Sequence, residues 1–381
     1  MKMTAMNGND AAAAGARMAR VQVVAAYPIT PQTPIVENLA TAIDKGDLKA
    51  NYINVESEHS ALCATVGASL VGARAFTATA SAGLALMHEI TGVAAGCRQP
   101  IVMPVVNRAI PSPWSLWCDH SDIMGERDQG WIQLFAETCQ EALDFVILSY
   151  RLAEDKRVQL PVMIGIDGFF LSHITEPVAV PSQEQVDAYL PPREPHNLVL
   201  DVDNPLAINT LTPPGLFTEI KYQHKQAMEN AAVVMGKVFA SFAAAFGRKY
   251  SVVKKYKTED ADIVFVAMGT MAGTGRDAVD ALRSKGHKVG MLRIISFRPF
   301  PTEAVQDALK EAEKVIVLDR SAGLGSTPPL ALEVSRAVPD KSFTSCVAGL
   351  GGRDVTIATY EQALSVTGKT GVNWLDLKEG E

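Results

Sequence analysis

Short apolar runs alternate with amphipathic stretches along most of the chain, the pattern of strands followed by helices that builds a parallel α/β sheet. An alanine-rich helix is expected over residues 8–20, capped by Asn9 or Asp10 and with Met18 on its apolar side. The strand Val21–Ala26 follows, and the amphipathic IVENLATAID closes a first β–α unit. Tyr52, Ile53 and Val55 predict a short buried strand, and an Ala/Gly-rich helix runs from there through Leu62, Val66, Ala68 and Leu70 to Gly72. The alternation repeats: strands at Ala75–Thr79, Ile101–Val106 and Pro161–Ile166, helices at Leu84–Ala95 and across 134–155.

The pattern then breaks. Residues 175–215 are proline-rich without periodicity and predict a linker or surface arm that wraps another domain or subunit. A helix over Phe217–Phe246 follows, its Lys221, His224, Lys225 and Lys237 on a solvated face. A second unit begins near Asp260: strand Asp262–Met268, a Gly-rich turn over 269–275, helix Arg276–Lys285, strand Val289–Arg293, helix Glu303–Glu313, strand Val315–Asp319. Two domains are expected, 1–240 including an arm at about 175–215, and 258–381.

Composition removes several functions. A net charge of −7 without a dense basic run argues against nucleic acid and against an anionic membrane surface as the main partner. No secretory leader and no run of about 18 apolar residues is found, so the expectation is a soluble, cytoplasmic protein without membrane insertion. The five cysteines, Cys63, Cys97, Cys118, Cys139 and Cys346, form no Cys-x-x-Cys pair. Reduced thiols are expected, with neither a zinc site nor an iron–sulfur cluster held by this chain alone, and no metal ligand is assigned.

The chemistry-bearing residues fall at the carboxyl ends of predicted strands, the edge where open α/β sheets bind ligands. Thr30 is held stiffly between Pro28 and Pro31 in YPITP. Glu56 and Glu58 follow the next strand, where Glu58 is either a ligand-facing acid or one favoured by the helix dipole. Ser81 and Gly83 open a helix at which a ligand can approach backbone amides. Arg108 ends another strand; its fork suits a carboxylate or a structural ion pair.

The loop Ala109–Trp131 carries Trp114 and Trp117, then Asp119, His120 and Asp122. His120, between two acids, reads as a general base, a metal ligand or a companion to a capping Asp. Gly165-Ile-Asp167-Gly168 lacks the following asparagine of a Gly-Asp-Gly diphosphate site, and Gly269, Gly273 and Gly275 do not fit the dinucleotide fingerprint. The strand end Asp319-Arg320 and the turn Gly349–Asp354 are candidates for a domain or subunit contact.

Taken together, AAYPITPQTP (25–34), ESEHSALCATVGASLVGARAFTATASAGLALM (56–87), PVVNRAIPSPWSLWCDHSDI (104–123) and RDQGW (127–131) resemble the α subunits of the 2-oxoacid:ferredoxin oxidoreductases, pyruvate synthase type. The resemblance implies a pyrimidine-binding-type parallel α/β domain for thiamine diphosphate, followed by a transketolase-C-terminal-like α/β domain. Mg²⁺ with the diphosphate, and the [4Fe–4S] clusters, would belong to partner subunits: a thiamine-diphosphate-binding β, a γ and a ferredoxin-like δ. By the same resemblance Glu58 bonds the aminopyrimidine ring nitrogen and favours its imino form. Tyr27, Pro28, Ser81 and Gly83 would lie beside the cofactor, and Thr30 and Arg108 would hold the 2-oxoacid carboxylate. Ile110–Asp122, with Ile110, Trp114, Trp117, Asp119 and His120, matches a mobile substrate loop without an assigned catalytic role.

The activity so implied is oxidative decarboxylation of pyruvate, in a reaction that can run in reverse, with coenzyme A taking the acyl group and ferredoxin or a similar acceptor the electrons. Thr30 suits an uncharged substrate side chain. Trp114 and Trp117 can instead wall an apolar pocket for an aryl or branched 2-oxoacid such as phenylglyoxylate or 2-oxoisovalerate. A non-catalytic assembly subunit is the alternative of a different class, and would leave Glu58 far from any cofactor.

Overall fold

The computed structural model describes residues 2–196 and 199–378, so positions 197 and 198 of the expected arm lie outside the described residues. The first half contributes β1 (Lys2–Met6), β2 (Val23–Ala26), β3 (Asn51–Asn54), β4 (Ala75–Phe76), β5 (Val102–Asn107), β6 (Ile132–Phe135), β7 (Val162–Asp167) and β8 (Glu176–Val180). Beyond the long helix Pro214–Phe246 come β9 (Val253–Tyr256), β10 (Ile263–Met268), β11 (Val289–Ile294), β12 (Ser296–Arg298), β13 (Lys314–Asp319), β14 (Ser342–Val347) and β15 (Val372–Trp374).

Two parallel-rich sheets result. The first has the order β12-β6-β7-β5-β4-β2-β3 and the second β15-β14-β13-β10-β11-β9. Within them only β12 against β6 and β9 against β11 run antiparallel. This is the α/β class that the alternation predicts. Because β2, β3, β4, β5 and β7 run the same way, their carboxyl ends share one edge.

The core behind that edge depends on small residues. Helix Gly8–Met18 lies against helix Cys139–Ala153 so closely that a Cβ on Gly15 would meet Leu143 O at 2.7 Å. Leu143, Val146, Ile147, Tyr150 and Leu152 are all fully buried there.

β12 crosses from the second half of the chain to extend the first sheet, with Phe135 N–H donating to Ile295 O at 2.8 Å. Arg293, just before it, is wholly buried and donates to Glu137 Oε2 (2.6 Å), to both oxygens of Glu141 (2.8 and 2.5 Å) and to Phe135 O (2.9 Å). The halves are therefore joined by an internal ion cluster as well as by a strand.

Several expected elements differ. Asn7, not Asn9 or Asp10, caps the first helix, accepting from Asp10 N–H at 2.9 Å; Asn9 is buried inside the helix. The strand at Tyr52 is an edge strand and largely exposed, because only β2 flanks it. Met87 divides the expected helix into Ser81–Leu86 and His88–Gly96. The stretch 134–155 opens with β6 and turns helical only at Cys139, where Thr138 supplies the cap.

The proline-rich arm contains β8, which pairs with β1, and a short helix Gln183–Tyr189 with a capping box. The 269–275 stretch is not a turn: the helix begins at Met271 and includes Gly273 and Gly275. A Cβ on Gly275 would meet Met291 Sδ and Tyr360 Oη at 2.8 Å, so this glycine serves close helix packing. Helix Pro214–Phe246 is long and apolar enough to cross a membrane by length and composition, but its Ala227, Val234, Met235, Phe239, Phe242 and Phe246 are buried in the first core.

Candidate active site

The sheet edge collects four strand ends, in spatial order Glu58 after β3, Thr30 after β2, Ser81 and Gly83 after β4, and Arg108 after β5. Thr30 and Arg108, 78 positions apart, meet there with β4 between their strands.

Glu56 and Glu58 separate cleanly. Ser57 caps the helix, accepting from Ser60 N–H at 3.3 Å, and Glu56 stays exposed, taking hydrogen bonds from the Ser57 and Ser60 hydroxyls. Those bonds, Ser60's first, hold the Glu56 carboxyl below the usual carboxylate range. Glu58, in the first helical turn, points inward and is 7% exposed. Its carboxylate has no hydrogen-bond or ion-pair partner among the described residues. A Cβ on Gly83 would lie 2.6 Å from Glu58 Oε1 and 2.6 Å from Thr79 Oγ1, and the buried Thr79 hydroxyl also lacks a partner. The glycine thus keeps open a small polar recess between an acid and a hydroxyl, where burial without a hydrogen bond is costly.

Asp122 ties this recess to Arg108. Its buried carboxylate accepts from Ser81 N–H (3.0 Å), Asn107 Nδ2 (2.9 Å), Arg108 N–H (3.0 Å) and Ile123 N–H (2.7 Å). Burial pushes its pKa up to about 6 against the pull of these donors. Ser81, in the left-handed region at φ 49°, also donates its hydroxyl to Ala109 O at 2.6 Å. Sequence inspection leaves Asp122 among a crowd of loop acids. The sign of its role is geometric, since only the folded strands bring Ser81, Asn107 and Arg108 around it.

Arg108 is buried, with Nη1 donating to Thr30 O at 2.9 Å and Nε to Ser115 O at 3.1 Å. Its Nη2 has no protein acceptor among the described residues. A guanidinium braced on two carbonyls with one nitrogen free is arranged to hold an anionic ligand. The structure thus brings Thr30 and Arg108 into contact, through the threonine's carbonyl; the Thr30 residue itself is exposed. Tyr27 and Pro28 are exposed at the end of β2.

In the loop Ala109–Trp131, Trp114 is 76% and Trp117 53% exposed. Trp117 lies over Gly352 and tilts against Phe169, ring centroids 6.1 Å apart. A cavity of about 840 Å³ opens between this loop and the second half, lined by Ile110, Pro113, Asp119, Leu324, Leu332 and Trp374 among others.

His120 pairs neither with Asp119 nor with Asp122. Buried at the far end of the loop, its Nε2 lies 2.7 Å from Asp167 Oδ1. Asp119 bonds Ser121, with Asp119 Oδ1 accepting its backbone N–H at 2.9 Å. Cys118, His120 and Asp167 offer three metal-ligand atoms within 4.8 Å of one another. Arg320 already sits in that triangle, Nη1 donating to Cys118 Sγ (3.5 Å) and Asp167 Oδ2 (3.2 Å). Burial alone would push Asp167 up, but the Arg320 charge and His120 outweigh it and hold the carboxyl well below its usual range. Burial, then Asp167, pushes the Cys118 thiol well above its ordinary value, so it stays protonated. Asp167 in the Gly-Ile-Asp-Gly stretch is thus an interior ion-pair partner.

Comparison with known proteins identifies the family. The family model described as "Pyruvate flavodoxin/ferredoxin oxidoreductase, thiamine diP-bdg" matches residues 14–240, and "Pyruvate:ferredoxin oxidoreductase core domain II" matches 261–360. The pyruvate synthase subunit PorA of Methanothermobacter thermautotrophicus is 46% identical over 381 residues, covering 100% of this chain and 99% of its own. That of Thermotoga maritima is 48% identical over 359 residues, 93% of this chain and 92% of its own. The ketoisovalerate oxidoreductase subunit VorA of Pyrococcus horikoshii is 46% identical over 357 residues, 92% of this chain and 90% of its own. Among solved structures, the 2-oxoglutarate:ferredoxin oxidoreductase of Magnetococcus marinus superposes with TM-score 0.75 at 21% identity, over 96% of this chain. This chain spans 65% of that one's length, and the likeness is one of fold.

Proposed function

Since the chain belongs to the pyruvate flavodoxin/ferredoxin oxidoreductase family, we propose that it is the α subunit of a multisubunit, thiamine-diphosphate-dependent 2-oxoacid oxidoreductase acting on pyruvate. Residues 1–240 form the pyrimidine-binding part and 258–381 the transketolase-C-terminal-like part. The observation that carries the proposal is Glu58: a residue 7% exposed, its carboxylate without a partner among the described residues, facing a recess that Gly83 keeps open.

Those features fit thiamine diphosphate. Glu58 would hold its aminopyrimidine, the Thr79 hydroxyl and the Ser81–Gly83 backbone lie beside the recess, and the diphosphate with Mg²⁺ falls to a partner subunit. When bound, the cofactor supplies the nucleophilic carbon and electron sink for decarboxylation. The chain's own residues do the rest. Glu58 keeps a proton at the ring nitrogen, in a pocket dry enough for that hydrogen bond to be strong. Arg108 clamps the 2-oxoacid carboxylate, and the Thr30 and Ser115 carbonyls fix the plane of the guanidinium. Coenzyme A would take the acyl group, and [4Fe–4S] clusters held by partner subunits would supply the electron path to ferredoxin or a similar acceptor, in a cytoplasmic complex.

A second reading of the substrate, a branched 2-oxoacid, is favoured by the VorA relatives, 44–46% identical against 43–48% for the PorA relatives. The deciding experiment offers the purified complex pyruvate, 2-oxoisovalerate, phenylglyoxylate and 2-oxoglutarate, each with coenzyme A and a viologen dye. Fastest dye reduction with pyruvate is expected. A clear preference for 2-oxoisovalerate changes the substrate alone, and no reduction with any acid rejects the enzyme assignment.

Arg108→Lys should raise the KM for the 2-oxoacid ~10- to 100-fold, the weight of a charge-assisted hydrogen bond. Lysine keeps the charge but cannot reach two carbonyls and a carboxylate together. Steady-state kinetics with each substrate varied in turn checks this, and the KM for coenzyme A should not move.

A further inference from the structure

The segment from Arg108 to Ser121 leaves β5, crosses two prolines without regular structure and returns in helix Ser121–Gly125. Its first limb holds Arg108 through Ser115 O, and Ala109 N–H donates to Trp117 O at 3.0 Å. Its far end is held by the second half of the chain. Gly352 N–H donates to Cys118 O at 2.8 Å, and His120 N–H to Arg320 O at 2.8 Å.

The side chain of Arg320 completes the attachment. Its Nη1 bridges Cys118 Sγ and Asp167 Oδ2, its Cζ lies 4.6 Å from the centre of the Phe170 ring, and it is 2% exposed. Asp167, at the end of β7, also takes Thr270 N–H at 2.9 Å. One buried guanidinium thus touches the loop and a strand end of the first sheet from the end of β13 in the second. A loop with few contacts of its own pays a conformational entropy cost to stay in one shape, and a buried ion pair of fixed geometry is a means of selecting that shape.

We propose that Arg320 is a positioning residue for 2-oxoacid recognition. It sets the course of residues 109–120 so that Ser115 O stands where Arg108 needs it. The inference rests on the assignment of Arg108 to the 2-oxoacid carboxylate. Arg320 touches no substrate; it acts through Ser115 and Arg108. The second half of the chain is thereby part of substrate selection.

The test uses the assembled complex with Arg320→Lys, Arg320→Met and, as a control on the same cluster, Thr270→Val. Lysine keeps the charge facing Asp167 but loses the span to Cys118, so it carries the test if the methionine variant does not assemble. For Arg320→Lys the KM for the 2-oxoacid should rise about tenfold, as one misdirected charge-assisted hydrogen bond would produce. The KM for coenzyme A should stay constant, and Thr270→Val should leave both unchanged. Amide hydrogen exchange over residues 109–117 should quicken in Arg320→Lys and not in Thr270→Val, a readout independent of turnover. Unaltered 2-oxoacid KM with a lower melting temperature and a lower kcat would reduce Arg320 to a structural part and overturn the proposal, as would unaltered exchange in the loop. A wild-type complex that oxidises no 2-oxoacid would instead overturn the functional assignment.

Discussion

Glu58→Gln is expected to lower turnover of the 2-oxoacid by ~10²- to 10⁴-fold, the range of a positioned general acid–base group, while the complex assembles with unchanged subunit composition. Glutamine has the shape of glutamate, so the recess bounded by Gly83 and Thr79 keeps its volume. What is lost is a group that can hold or release a proton at a ring nitrogen. The competing account, an acid placed in the first helical turn for the dipole alone, gives a different result: a stability loss of about 0.3–1 kcal/mol with turnover intact. Dye reduction at saturating 2-oxoacid and coenzyme A, beside a thermal melt of the same preparations, separates the two. Full activity in the variant would remove Glu58 from the chemistry.

The choice of Glu58 over Glu56 comes from the family resemblance, because the strand and helix pattern alone does not separate the two acids. Alternation of apolar runs puts both acids at a strand's carboxyl end, and the same alternation delivers Thr30, Ser81, Gly83 and Arg108 to one edge. Parallel strands make that inference safe, because chain direction fixes which end each loop occupies. The inward turn of Glu58 then follows from Ser57 capping the helix, a local event.

Long-range pairings were not legible. Nothing local to Ser296–Arg298 signals that it will pair with β6, and a two-residue β4 is held by its neighbours more than by its own sequence. His120 stands next to two acids along the chain but meets a third, Asp167, 47 residues away, because β7 ends beneath the loop. Gly275 reads as turn chemistry until Met291 and Tyr360 are seen against it. Glycine for flexibility and glycine for close approach look the same in one dimension.

Arg293→Ala should be the most damaging single change to the fold, destabilising it by roughly 3–5 kcal/mol, as expected when one partner of a buried ion cluster is removed. The alanine would leave Glu137 and Glu141 facing each other in the interior with Arg276 the remaining cation in contact, on Glu137 only. Burial tends to push the Glu137 carboxyl up, but Arg276 and Arg293 hold it below its ordinary value of 4.5 in the intact protein. A depressed folded pKa contributes stability that is present above the unfolded value and is lost as pH falls through the folded one. In the variant Glu137 keeps only Arg276, so the depression of its carboxyl shrinks, and with it the stability that the ionised group contributes at neutral pH. The difference in melting temperature between Arg293→Ala and wild type should therefore be largest near pH 7 and narrow toward pH 4. A gap that is constant or widens over that interval would show that packing around the guanidinium, and not charge, is what Arg293 supplies between the two sheets.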